Sequence, residues 1–240
     1  MPTKHRAQLE ATMSARQGCD TRGCYVRTLD RLAKPSPTVE AEGYVTLVYG
    51  DGPFVCSAAV IGATLAAIDP SRPRLAMVAG IRSAETRAIL SASSWRLMDV
   101  EDLIPDIADV KGVPMRPFSR KLSILAAPFS RALFLDADQV LVQSNRSRAR
   151  LENMWAQQPQ TDMLAKSKTD TKDGTNATCF NSGLLLYRPS RARAVEYAKL
   201  LERAAAHGQG ALAFRDALPA FRICGGYDQP FINEIYANSW

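Results

Sequence analysis

A chain of 240 residues is long enough to bury a sizeable core, as one large domain or as a domain with a tail. Its apolar fraction of 46% and charged fraction of 22% are those of an ordinary globular protein. The net charge of +6 is modest, and no Lys/Arg block is interleaved with aromatic residues, so nucleic acid is not an expected partner; the surface instead tolerates anionic ligands.

Cys19, Cys24, Cys56, Cys179 and Cys224 form no Cys-x-x-Cys pair or Cys/His cluster, and their odd number suggests reduced thiols. No apolar run approaches the length of a membrane span and the amino terminus lacks an apolar h-region, so a cytoplasmic protein is expected. Residues 1–42 read as a tail, ending near Lys34-Pro35-Ser36-Pro37, where two prolines oppose a helix.

Order is expected from Gly43. Tyr44 to Tyr49 is a β-rich run without polar alternation, as in a strand covered on both faces. Gly50-Asp51-Gly52-Pro53 breaks it with turn chemistry. Val55 to Ile68 is apolar all round and reads as a buried helix, and Leu75 to Ala79 as a second buried strand. Ser83 is placed to cap a helix through about Ser93, with Glu85 in its first turn, and Trp95 to Val100 reads as a third strand. This β-α-β-α-β rhythm predicts an α/β fold with a mostly parallel sheet and helices on both faces.

Residues 101–118 read as loop, and Ser119 as the cap of a helix from Arg120 to about Ala127. The apolar run Ala132 to Leu135 then leads into Asp136-Ala137-Asp138. If the chain stays extended there, the i, i+2 spacing points both carboxylates to one side. A pair so placed at the carboxyl end of a strand suits a hard divalent cation; the alternative is that Asp136 caps a turn and Asp138 is solvated. Leu151 to Trp155 reads as helix and Asp162 to Ala165 as a short strand. Lys166 to Thr178 reads as a polar loop, either simply solvated or able to fold over an anion. Asn181 and Ser182, before the apolar strand Leu184 to Tyr187, are suited either to sugar hydroxyls or to an Asx turn. A helix follows from Ala192 to about Ala206, and Asp228, with Pro230 in the first turn, reads as the cap of a helix through Tyr236.

The Tyr44–Leu47 strand, Leu133-Phe134-Leu135-Asp136-Ala137-Asp138, Asn181-Ser182-Gly183 before an apolar strand, and Asp228-Gln229 opening a helix occur in one order over roughly residues 43–238. Together they resemble the glycogenin-like glycosyltransferases of family 8, which have the GT-A fold. The resemblance implies a single catalytic domain over 43–240 and retaining transfer of a hexose from a UDP-sugar, UDP-glucose or UDP-galactose, to an acceptor the sequence does not identify. It implies Mn²⁺ (or Mg²⁺) held by Asp136 and Asp138. It implies donor contacts from Lys121, Thr46, Leu47, Arg87, Ala137, Asn181 and Ser182, with Asp228 and Gln229 at the β face of the donor sugar, where either a double displacement or a front-face route is open.

Two departures accompany it. The family's Asn-Asp-x-Tyr after the first strand is here Gly50-Asp51-Gly52-Pro53-Phe54, with Phe54 in place of the stacking aromatic. The family's His-x-x-Gly-x-x-Lys-Pro-Trp segment, which supplies a third metal ligand, has no counterpart before Trp240, and His5 and His207 do not match it. Weaker metal affinity than in the family is therefore expected. A domain that binds nucleotide sugar or a partner without turnover is the alternative, and a nucleotidyltransferase of related architecture ranks below both, because no basic residues follow Gly50-Asp51-Gly52-Pro53.

Overall fold

The β-rich run that opens the ordered part of the chain becomes the centre of the sheet. The computed structural model describes residues 40–100, 121–156, 162–169 and 178–196, with the backbone alone for 166–169 and 178–181. In chain order these residues form β1 (Glu40–Tyr49), α1 (Phe54–Ile68), β2 (Arg74–Ala79), α2 (Ala84–Ala92), β3 (Arg96–Asp99), a 3-10 helix (Lys121–Ala126), β4 (Phe129–Leu135), α3 (Asn145–Ala156), β5 (Met163–Thr169) and β6 (Thr178–Tyr187). Residues 191–196 are helical. The strands make one sheet of order β3-β2-β1-β4-β6-β5. β1 runs parallel to β2 and β4, and β2 to β3, while β6 is antiparallel to β4 and β5.

The expected α/β layering is present. Alternate β1 residues point to opposite layers: Tyr44 and Val48 pack with Val55, Ile61 and Leu65 of α1, Leu90 of α2 and Trp155 of α3. Val45 packs on the other side with Leu122, Ile124 and Leu125 of the 3-10 helix and with Ala194. Both faces are covered, so the central stretches of β1, β2 and β4 are apolar on successive residues, the buried Thr46 excepted.

Several boundaries differ from the sequence reading, each for a reason lying far off in the chain. β1 begins at Glu40 rather than Gly43, because the Glu40 N–H donates to the Pro128 carbonyl (3.0 Å) and the Glu40 carboxylate meets Arg96 (2.5 Å). Glu42 likewise pairs with Arg72 (3.2 Å) and with Arg131. α1 is buried on one face only; Cys56, Val60, Ala63 and Ala67 are exposed on the other, which the apolar composition concealed. Lys121–Ala126 is a 3-10 rather than an α-helix, and Ser119 and Arg120 lie outside the described residues. α3 starts at Asn145, earlier than expected, because the Ser144 hydroxyl accepts from the Ser147 N–H (3.1 Å). Lys166–Thr169 belongs to β5 and Thr178 opens β6, so both flanks of the expected polar loop are strand.

α2 has the predicted cap, with Ser83 Oγ accepting from the Thr86 N–H at 3.2 Å. It ends in a Schellman arrangement: Ser94 N–H to Ser91 O (3.0 Å) and Trp95 N–H to Leu90 O (3.2 Å). This puts Ser94 at φ 70°, a left-handed conformation that glycine adopts without strain. Ser94→Gly is expected to raise unfolding free energy by about 0.5–1 kcal/mol, the relief of left-handed strain outweighing the added freedom of the unfolded chain. A urea titration that moved the midpoint downward would contradict it.

Candidate functional site

The strand order reverses at β1: the chain crosses to β2 and β3 on one side, then returns to β4 on the other. In open α/β sheets the crevice beyond the carboxyl ends at such a point receives ligands. Thr46 Oγ1 donates to the Leu135 carbonyl at 2.8 Å across this junction, fully buried, and fixes the two strand ends side by side. The exits of β1 and β2 are tied by Asp51, which the sequence reading did not select. Its carboxylate accepts the N–H groups of Arg82 (3.1 Å) and Ser83 (3.3 Å). The Arg82 N–H is the main reason that the carboxyl sits below its ordinary pKa. The flanking glycines, with Gly50 at φ 68°, were the available signal.

Three of the expected site residues meet at the β4 side of the junction. Lys121 Nζ lies 2.9 Å from Asp136 Oδ2 and 3.1 Å from Ser182 Oγ, and 5.0 Å from the centre of the Phe134 ring. Lys121 is buried at 6% exposure, so it is not the surface lysine of an amphipathic helix that its sequence setting also allowed. Ser182 is likewise buried, and it sits within a strand rather than in an Asx turn. An irregularity in the β5–β6 ladder delivers it. Ala165 opposes Leu185 but Lys166 opposes Asn181, so Ser182, Gly183 and Leu184 have no counterpart on β5. Such bulges re-aim side chains at functional rims. Gly183 O also accepts the Asp136 N–H (2.9 Å), which locks the bulge to the end of β4.

The chain does not stay extended through Asp136-Ala137-Asp138. The strand stops at Leu135, and the Asp136 carbonyl accepts the Gln139 N–H (3.0 Å) to close a turn. The same-side argument from strand pleating therefore does not apply. Instead Asp136 is partly covered and held by Lys121, Ala137 is buried among the residues that α1 and α3 cover, and Asp138 is exposed with no ion pair among the described residues. Carboxylate oxygens are ligands of the kind a hard divalent cation takes, but here a turn and not a strand pleat sets how Asp136 and Asp138 lie. No cluster of three His, Cys, Asp or Glu side chains occurs among the described residues.

The remaining expected residues are distributed around this centre. Leu47 packs partly buried against the layer below the 3-10 helix. Phe54, 48% exposed, opens α1 after the β1 exit loop. Arg87 projects from α2 into a two-pronged pair with Asp99 (2.8 and 2.9 Å), the last residue of β3. Asn181 lies in β6 opposite Lys166. Asp228 and Gln229 lie outside the described residues.

A cavity of about 230 Å³ lies at the opposite, amino-terminal rim, lined in part by Asp69, Ser71, Arg72, Arg148 and Glu152. Its charged groups serve the fold: Asp69 accepts from Tyr44 (2.6 Å), Arg72 (2.7 Å) and Ser71 (2.8 Å), and Arg72 stacks 4.7 Å above Trp155. Burial pushes the Asp69 pKa up, but those three donors outweigh it and hold it below its ordinary value. A lowered folded-state pKa means stability that is complete above the unfolded value of about 3.9 and is lost as pH falls through the folded value. The urea midpoint should therefore drop on acidification below about pH 4, and Asp69→Asn should flatten that slope. An unchanged slope in the variant would remove Asp69 from the account.

By its likeness to solved structures the fold is that of a GT-A-type α/β domain. Three solved structures that it resembles are glycosyltransferases. Galactosyltransferase LgtC, crystallised with donor and acceptor sugar analogues, matches with a TM-score of 0.55 and 16% identity over 81% of this chain and 70% of LgtC. An active-site mutant of LgtC gives 0.53 and 17% over the same shares. The bifunctional glycosyltransferase WbbM gives 0.51 and 12% over 85% of this chain and 39% of WbbM. No family model and no curated protein sequence matches the chain. Among the described residues no helix is long and apolar enough to cross a membrane.

Proposed function

We propose that this protein is a glycogenin-like glycosyltransferase of family 8 that moves a hexosyl group, with retention, from UDP-glucose or UDP-galactose to a glycan, protein or small polyol. The observation that carries the reading is the meeting of Lys121, Asp136 and Ser182 at the carboxyl rim, beside the reversal of strand order. The likeness of the whole sheet to glycosyltransferase structures supports it.

In this reading Asp136 and Asp138 hold Mn²⁺ or Mg²⁺. When bound, the cation supplies Lewis-acid stabilisation to a departing diphosphate. Lys121 adds a fixed positive charge at the same place, oriented by Ser182 and Phe134 before any ligand arrives. Phe54, exposed at the start of α1, offers an aromatic face to the uracil, with Leu47, Arg87, Ala137 and Asn181 around the nucleoside and sugar, while the fully buried Thr46 supports the pocket from behind through its bond to the Leu135 carbonyl. Asp228 and Gln229 serve the anomeric centre, either as nucleophile or as a group that stabilises its positive charge.

One observation favours the second reading, a domain that binds the donor without turnover: Asp136 already has a cation in Lys121. The deciding experiment measures UDP release from each UDP-sugar with and without Mn²⁺, alongside UDP binding by calorimetry. Metal-dependent release supports the transferase. Binding without release supports the second reading, and absence of both ends the donor-site assignment.

A further inference from the structure

We infer that the outer face of the helical layer made by α1, α2 and α3 docks on an anionic lipid surface, a role independent of the donor-site reading. α1 carries no charged residue in fifteen, where a chain that is 22% charged would place about three. Val55, Ala58, Ile61 and Leu65 turn inward to the sheet, which leaves Cys56, Val60, Ala63 and Ala67 outward, exposed and uncharged. A surface helix ordinarily sets charged or polar side chains on that side. Phe54, Val60, Ile89, Val140 and Val142 are the large apolar side chains left exposed among the described residues. All five belong to this layer or to the loop that leads into α3. Phe54, at the rim end of α1, is placed at the nucleotide above; the other four have no such task. Val140 is 88% exposed and Val142 63%, while Leu141 between them packs inward with the residues that α1 and α3 cover, so both valines turn outward.

Basic groups follow this apolar loop directly. Leu151 and Trp155 mark the inward side of α3, and helical spacing then sets Arg146 and Arg150, one turn apart, on the opposite side. Both are exposed and make no ion pair among the described residues. Arg148 differs, because it turns to α1, where its Nε donates to the Ile68 carbonyl at 2.8 Å. The first turn of α3 has no acid, so these arginines stand at the positive end of the helix dipole with nothing in the turn to offset them. An anion from outside the chain relieves that arrangement. Apolar side chains that enter the headgroup boundary, with arginines beside them that meet phosphate, are the means by which a protein lies on an anionic membrane. The net charge of +6 favours the same partner at long range, whereas a second copy of the chain carries that charge too and is repelled.

The test floats the full chain with vesicles of phosphatidylcholine alone, or of phosphatidylcholine mixed with phosphatidylglycerol. Wild type should bind the anionic vesicles and not the neutral ones, and added salt should release it. Arg146→Gln combined with Arg150→Gln should weaken binding by at least about tenfold, since one arginine at such a surface contributes about fivefold. Val140→Ser combined with Val142→Ser should weaken it by a similar factor, through apolar area that no longer leaves water. All four side chains are exposed, so both double variants should melt with wild type, and either one suffices if the other fails to fold. Equal binding to neutral and anionic vesicles, or binding to neither, would overturn the inference. Vesicle binding unchanged in both double variants would also overturn it, because another surface would then be in contact. A dimer in sedimentation equilibrium that Val60→Glu disperses, in a chain that ignores anionic vesicles, would give the face to a second copy instead. Binding to single-stranded RNA with no affinity for vesicles would likewise take the arginines away from lipid.

Discussion

Asp138→Ala is expected to cut metal-dependent UDP release by more than about a hundredfold, close to 3 kcal/mol of transition-state stabilisation, with no change in melting temperature. The two halves of that expectation come from one feature of the rim. Asp138 is exposed, follows the end of β4 within a turn, and forms no ion pair among the described residues, so removing its carboxylate leaves nothing unpaired behind. Asp136 is the contrast. Its carboxylate holds the buried Lys121 and its backbone N–H is bound to Gly183 O, so Asp136→Ala takes a carboxylate away from an ammonium whose side chain is only 8% exposed. That variant should lose activity and stability together, by about 1–2 kcal/mol once the partial exposure of the pair is discounted. Kinetics and thermal unfolding on the two variants separate a group that serves a ligand from one that also serves the fold. Equal UDP release by wild type and Asp138→Ala would end the assignment of the acidic pair.

The parts of the fold that depend on local pattern were legible in the sequence. Apolar runs without alternation gave β1, β2 and β4, Ser83 gave the start of α2, and their order gave parallel pairing with helices between. What could not be read depends on pairs far apart in the chain. The start of β1 is set by Arg72, Arg96, Arg131 and the Pro128 carbonyl, none of which is near Glu40 in sequence. Lys121 and Ser182 were singled out as donor contacts and Asp136 as a metal ligand, each on its own. That they hold one another follows from a bulge in β6, which has no marker in sequence beyond the small residues Ser182 and Gly183. The pleating argument for Asp136 and Asp138 failed for a similar reason: periodicity says which way a strand would point its side chains, and not where the strand stops.

Gly62→Ala should destabilise the protein by about 2–3 kcal/mol, against the gain of about 1 kcal/mol that the same change brings at an exposed helix position. Gly62 lies mid-way along α1, where α1 crosses the turn between α2 and β3. A Cβ built there falls closer than 3.0 Å to the Trp95 indole and to the Ser93 carbonyl oxygen. The first obstacle cannot rotate away cheaply, because Trp95 Nε1 donates to Ala58 O at 2.7 Å in a buried setting and the ring is 3% exposed. The second is backbone, fixed by the Schellman turn that holds Ser94 at positive φ. α1 must therefore lift away from the sheet or the indole must give up its hydrogen bond, and either outcome outweighs the propensity gain. For a domain of this size the loss corresponds to a melting temperature lower by roughly 5–10 °C. The strain has a partner that identifies it. In a Trp95→Phe background, which removes the indole nitrogen, Gly62→Ala should cost less than it does alone, a coupling of the kind that touching residues show. A Gly62→Ala protein that melted higher than wild type would mean that α1 does not press on Trp95. Because α1 carries Phe54 at its first turn, the same displacement should weaken UDP binding even in protein that remains folded.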